Sequence, residues 1–390
     1  MDLCYNTAMA EKIVNSGIVF AYATNDAVFE IKRELERYFL YQTVLVVDES
    51  FEYGQQIENL RQMVNCNILV SHSFKDFDFS QNVDFVIAIN DKNAFDIKEK
   101  CFQDKIPYMI VLTKVVTYSA CSDKVFGVDN KQSQVNKPFG IVLDKSQVFD
   151  KKRFVCQAIL EIGLTNFEIV QKNIENLFYG KKIAYETIDA QKKNLESFEQ
   201  LFEQKNYDNN LLFNQICDIY LTNLLKKSSE TVGLLEVLAS LYCGYDSKMH
   251  GRYIETKYLY MQILCVIEND FFSKYKSGYK DVINYQIHQK KLAFYGKNSD
   301  FLPINLPESK INFLIEQFQN KFLQYMKQQN DFAEKIKNLL ADTDIDFLYQ
   351  IYNDVDRKTF VDMLSLTPTI FKEQNILSLM YSLGLLNYGI

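Results

Sequence analysis

Residues 83–100, VDFVIAINDKNAFDIKEK, run from an apolar stretch into a polar turn, Asn90-Asp91-Lys92-Asn93, and then into a helical segment with an acid, Asp96, in its first turn. Strand, tight turn and helix N-terminus in this order make a frame for holding an anion, above all a pyrophosphate, on backbone N–H groups and the positive end of the helix dipole. Such a turn depends on glycine, because a β-carbon occupies the space through which the phosphate approaches the backbone. Here side chains fill the turn, and Asp91 adds negative charge where the anion would sit, offset only by the flexible ammonium of Lys92. Asn90 and Asn93 suit capping of the turn and helix. A second candidate is Asp48, which ends the run TVLVVD (43–48). A carboxylate at the end of a second strand is placed to accept from a ribose diol.

The elements that must position these residues divide near residue 150. Before it, short apolar runs at 17–23, 43–48, 66–73, 83–89, 107–113 and 139–144 alternate with segments of helical spacing such as DAVFEIKRELERYFLY and EYGQQIENLRQMVN. Strands apolar on both faces and separated by helices predict a parallel sheet covered on both sides, a Rossmann-like α/β domain over 1–150. After it, segments 153–180, 190–226, 230–268 and 308–341 carry apolar residues every three or four positions, and the chain has only 5 prolines to interrupt them. The expectation is an all-helical domain over 151–390, in which DAQKKNLESFEQLFEQKNYDNN is the most polar stretch and an exposed helix.

Composition excludes several classes. With Lys+Arg 43 against Asp+Glu 50, a formal charge of -7 and no long block of one sign, the chain is a poor partner for nucleic acid. No stretch approaches the roughly 18 apolar residues of a membrane span, and no basic segment leads into an apolar run at the N-terminus, so a cytoplasmic protein is expected. The 8 cysteines are scattered without a C-x-x-C pair and sit among apolar neighbours, which reads as reduced core cysteine. No G-x-S-x-G elbow, Walker turn or H-E-x-x-H is present. The pairs Asp76/Asp78, Asp344/Asp346 and Asp354/Asp356 lie in polar connections and read as solvated or helix-capping acids. The 30 Phe and 25 Tyr fall at helical spacing, as packing residues do.

Five stretches together resemble one family: VDFVIAINDKNAFDIKEKCFQDKIPYMIVLT, FGIVLD, EIGLTNFEIV, the dipeptide His250-Gly251 and KEQNILSLMYSLGLL. The chain is similar to the glycerol-1-phosphate dehydrogenase branch of the superfamily that also holds iron-containing alcohol dehydrogenases, glycerol dehydrogenases and dehydroquinate synthases. The resemblance implies a dehydroquinate synthase-like fold, NAD(P) as cofactor, and a zinc or iron ion that orients an alcohol or ketone for hydride transfer. It places cofactor positions at Asp48, Asn90, Asp91, Lys92, Asn93, Asp96 and Thr113, with the family's Gly-Gly-Gly-Ser turn replaced by Asn90 to Asn93. It places substrate positions at Tyr118, where the family has an aspartate, and Ser122, with Ser119 in place of a glycine.

The three metal positions fare unevenly. The acidic ligand corresponds to Asn166, or by a different offset Leu164; the first histidine corresponds to Val237, beside a kept Glu236; the second is His250. Valine cannot coordinate, and with histidine only at 72, 250 and 288 a His-rich site is not readily rebuilt, although Glu161, Glu168 and Glu236 are nearby in sequence. The implied reading is a family member with degenerate cofactor and metal positions and lost or reduced activity. The expected assembly is a homo-oligomer or a hetero-oligomer with a paralogue, and the rivals are a non-catalytic binding or scaffolding subunit of an active paralogue and an enzyme whose interdomain pocket, lined by Lys92, Lys114 and Tyr118, takes a small phosphorylated or sugar-like ligand.

Overall fold

The computed structural model describes residues 17–38, 42–73, 82–90, 94–126, 132–182, 185–203, 209–227, 233–249, 251–276, 307–341, 346–370 and 375–382. The expected alternation is present: β1 (Phe20–Thr24), α1 (Ala27–Tyr38), β2 (Thr43–Val47), α2 (Gly54–Met63), β3 (Asn67–Ser71), β4 (Phe85–Ile89), α3 (Ala94–Asp104) and β5 (Tyr108–Leu112). A short pair of strands, β6 (Lys124–Phe126) and β7 (Gln132–Gln134), precedes β8 (Gly140–Asp144). That pair was not anticipated, because three-residue strands rich in polar side chains show no periodicity to read.

Six strands form one parallel sheet in the order β1-β8-β5-β4-β2-β3. Every residue of β4, β5 and β8 is buried. One face packs Val44, Val46, Ile87 and Val111 against Val28, Ile31 and Leu35 of α1 and Ile57 and Leu60 of α2. Each such side chain, fully withdrawn from water, contributes roughly 1.5–3 kcal/mol. The chain leaves β2 for β3 on one side and returns to β4 on the other, so the order reverses between β2 and β4. In open sheets of this kind, ligands bind outside the carboxyl ends of the strands at that reversal.

After residue 150 the described residues hold no strand. They form α4 (Lys151–Tyr179), α5 (Tyr185–Glu203), α6 (Asn209–Lys227), α7 (Leu234–Tyr245), α8 (Tyr253–Lys276), α9 (Glu308–Ala341), α10 (Asp346–Asp354), α11 (Arg357–Ile370) and α12 (Ile376–Ser382). The polar stretch near residue 190 is helical, with Leu195, Phe198 and Leu201 as its buried stripe. No helix among the described residues is long and apolar enough to cross a membrane.

The change of character at residue 150 is thus real, but the compact units interleave. A sheet unit takes 1–125, 132–158 and 196–231, and a helical unit takes 126–131, 159–195 and 232–390. Helix α6 belongs to the sheet unit for a physical reason. The Tyr220 hydroxyl donates to the Val116 carbonyl at 2.8 Å and accepts from the Val116 N–H at 2.7 Å, while Phe154 meets Phe213 and Tyr220 edge to face.

In the helical unit, α4 passes close to α9 at Gly163. A β-carbon there would lie 2.5 Å from Cδ1 and 2.9 Å from Cγ1 of Ile336. Alanine in a helix is favoured over glycine by about 1 kcal/mol, but overpacking costs about 1–3 kcal/mol. Gly163→Ala is therefore expected to destabilise the protein in urea titrations, and Ile336→Ala in the same chain is expected to turn that loss into a gain. A neutral Gly163→Ala would show that the helices do not meet there.

Candidate functional site

The carboxyl ends of β2 and β4 flank the reversal of the sheet, and both candidates from the sequence, Asp48 and Asn90, stand there. Asp48 is 0 % exposed. Its Oδ2 accepts from the Tyr53 N–H at 2.9 Å and its Oδ1 from the Ser50 hydroxyl at 3.2 Å. Its backbone carbonyl accepts from Nδ1 of His72 at 2.7 Å, and the His72 ring lies face to face with Phe51, centroids 3.9 Å apart. Asp48 thus organises the loop that leads into α2.

Asn90 answers the question posed by a turn filled with side chains. Its φ is +56°, a left-handed conformation that glycine adopts freely and asparagine tolerates. Its side chain points inward and bridges two strand ends: Oδ1 accepts from the Thr113 N–H at 2.9 Å, and Nδ2 donates to Oγ1 of Thr113 at 3.0 Å. The backbone path of a glycine is kept, and the added amide ties β4 to β5. Glu52 reaches the same spot, its Oε2 3.5 Å from Nδ2 of Asn90, so negative charge borders the reversal where a pyrophosphate would be repelled.

The neighbouring strand end is closed as well. Asp144, the buried last residue of β8, accepts from the Tyr53 hydroxyl at 2.7 Å and from the backbone and hydroxyl of Ser146 at 3.0 and 2.6 Å. Burial, reinforced by the Asp144 charge and hydrogen bond, pushes the Tyr53 hydroxyl far above its usual range, so it stays a neutral donor. Sequence reasoning passed over Tyr53, Glu52 and Asp144, although Asp144 ends FGIVLD just as Asp48 ends TVLVVD.

Of the remaining cofactor and substrate positions, Asp91, Lys92 and Asn93 lie outside the described residues. Asp96 is half-buried in the first turn of α3. Tyr118 and Ser119 open a short 3-10 turn, but their side chains are outside the description; Lys114 is exposed. Ser122 is fully buried, and its carbonyl lies 3.4 Å from the ammonium of Lys98, itself fully buried.

The metal positions fall in or beside the helical unit's elements. Asn166 is half-buried on α4, Leu164 and Val237 are fully buried apolar residues, and His250 and His288 lie outside the described residues. The three glutamates named from the sequence do come together, but around an ammonium. Nζ of Lys257, on α8, is 2.5 Å from Oε2 of Glu161 and 3.2 Å from Oε2 of Glu236, with the Glu168 charge close enough to act on it. Burial alone would lower the Lys257 pKa, but the three carboxylates outweigh it and raise it, keeping the ammonium charged. At 100° per residue, Glu161 and Glu168 share one side of α4 and Asn166 faces the other. Among the described residues no group of three or more His, Cys, Asp or Glu is arranged to hold a metal ion. The described donor set does not fit the zinc or iron that the resemblance implies, since a fixed internal cation already meets its carboxylates.

The described members of the acid pairs lie at helix ends. Asp354 pairs with Arg252 at 2.6 Å, and Asp356 caps α11 through Thr359, which holds its carboxyl below the usual range. Asp76, Asp78 and Asp344 lie outside the described residues, and Asp346 begins α10.

Two outcomes test this geometry by chemical denaturation. Asn90→Ala places a β-carbon without a compensating amide at a left-handed φ and is expected to cost about 2–3 kcal/mol, whereas Asn90→Gly, which keeps the backbone, costs about 1 kcal/mol. Equal losses would mean that the backbone conformation is immaterial. Lys257→Met leaves Glu161 and Glu236 buried without their cation and is expected to cost about 3–5 kcal/mol; a loss below about 1 kcal/mol would contradict the buried ion pair.

No protein-family model matches the sequence, and no curated protein matches it. Solved structures do match. The archaeal halo-thermophilic Red Sea brine pool alcohol dehydrogenase ADH/D1, bound to NZQ, is similar with a TM-score of 0.55 and 10% identity over 91% of this chain and 90% of that one. The iron-containing alcohol dehydrogenase from Thermococcus thioreducens is similar with a TM-score of 0.51 and 9% identity over 92% of each chain. The glycerol dehydrogenase from Schizosaccharomyces pombe matches over 83% of this chain and 92% of that one, with a TM-score of 0.48 and 12% identity. At such identities the likeness is one of architecture: the parallel-sheet α/β part followed by helices has the fold of the iron-containing alcohol dehydrogenases.

Proposed function

We propose that this chain is a glycerol-1-phosphate dehydrogenase-like protein of the NAD(P)- and metal-dependent alcohol and polyol dehydrogenase superfamily in which hydride transfer is lost or greatly reduced. The observation that carries this reading is the closure of the strand ends. Asp48, Asn90 and Thr113 are all buried, and their polar atoms are bonded to one another or to their own turns. A ribose diol or a pyrophosphate needs such groups free and facing the crevice. The lost ligand at Val237 supports the same reading on the metal side, since hydride transfer in the resembled family relies on a metal to polarise the alcohol or ketone. Where hydride transfer is retained, the resemblance assigns Asp48 to the cofactor ribose, Asp96 and Thr113 to the nicotinamide side, and His250 to the metal or to a proton.

Thermal unfolding with NAD(H), NADP(H) or no nucleotide, each with and without zinc or ferrous iron, tests the proposal. A ligand that binds only the folded state adds about 2.7 kcal/mol at a hundredfold excess over Kd, which shifts Tm visibly. The expected outcome is no shift under any of these conditions and no change in nicotinamide absorbance with glycerol phosphates or small polyols. A clear rise with one nucleotide, followed by turnover, overturns the proposal.

A further inference from the structure

A second polar cluster lies farther along α8 from Lys257. Glu268, on α8, is 0 % exposed and stands eleven residues beyond Lys257, on the same side of the helix. Its Oε1 accepts from Nε2 of Gln171, on α4, at 2.7 Å, and its Oε2 accepts from Nε2 of Gln329, on α9, at 2.7 Å. The remaining N–H of Gln171 goes to Oε1 of Gln329 at 3.3 Å, and the remaining N–H of Gln329 goes to Sγ of Cys265 at 3.1 Å. All four amide hydrogens are thereby used. Oε1 of Gln171 is left buried with no hydrogen-bond partner. The cluster is short of one donor, and its carboxyl group has two neutral amides where Glu161 and Glu236 have an ammonium.

We propose that Glu268 carries a proton in the folded protein and acts as a proton-operated latch that fastens α4, α8 and α9 to one another and loosens when the proton leaves. The added proton removes a buried charge that no cation in the cluster neutralises. From α4 the facing group is Gln171, with Glu168 one turn away and turned toward Lys257; from α8 it is Cys265; from α9 it is Gln329. Burial pushes the Glu268 carboxyl up to about 7, with the two amides holding it back, and burial together with the Glu268 charge pushes the Cys265 thiol up to about 12. Between the ordinary value of 4.5 and about 7, the folded state therefore binds more protons than the unfolded one. Stability from this group is fully present below that window and is lost as pH rises through neutrality.

The test compares Tm of the full chain and of Glu268→Gln from about pH 5.5 to about pH 8.5. Wild type is expected to lose several degrees across the range; the variant is expected to lose much less and to melt above wild type at the alkaline end. Every other titratable group is common to both proteins and cancels in the comparison. Parallel curves, with the variant lower at every pH, overturn the proposal. If Glu268→Gln fails to fold, the infrared carbonyl band of a protonated carboxyl decides in the wild type alone. At about pH 6, ordinary carboxylates are ionised. A band present there and lost by about pH 8.5 supports the latch, and its absence overturns it.

Discussion

The ammonium of Lys257 sits among Glu161, Glu236 and Glu168, out of contact with water. Removing charges from water costs several kcal/mol per ion even after relaxation, so each carboxylate in this interior requires a partner on a neighbouring helix. That requirement fixes α4, α7 and α8 relative to one another, because one ammonium has to reach glutamates on two other helices. The apolar packing around the cluster, including Val237, Tyr260 and Leu264, is consistent with that geometry but does not specify it. Where the ammonium cannot reach, at Glu268, two amides and a proton take its place.

The sheet unit meets the same requirement differently. Its buried polar groups lie at strand ends and are satisfied locally: Asp48 by the loop that follows it, Asn90 by Thr113, and Asp144 by Tyr53 and Ser146. At these strand ends the polar side chains tie strand to strand and strand to turn.

Much of the architecture was legible. Strands such as VDFVIAI and PYMIVLT are apolar on both faces, and the long helices repeat their apolar residues too regularly to be mistaken. The position of α6 was not legible, because its place beside the sheet depends on a contact between Tyr220 and Val116, 104 residues apart. At the site, the strand and turn pattern pointed to Asp48 and Asn90 and the resemblance to Thr113, but neither gave the inward direction of the Asn90 amide, which follows from a left-handed backbone angle. Lys257 and Glu268 were missed since charged residues in a helix are presumed solvated. Their signal was their register with Met261 and Leu264 on the apolar face of α8.

The interleaving of the units bears on how the chain acquires its structure during synthesis. All six strands of the main sheet have been made by residue 144, yet the helix that supplies Phe213 and Tyr220 to the sheet unit begins only at Asn209. Ribosomes add about 5–20 residues per second, so the sheet waits on the order of ten seconds for its last covering element. During that interval the nascent sheet exposes apolar surface destined for α6, and the segment 159–195, which belongs to the other unit, emerges in between. Neither unit can finish before the other has begun.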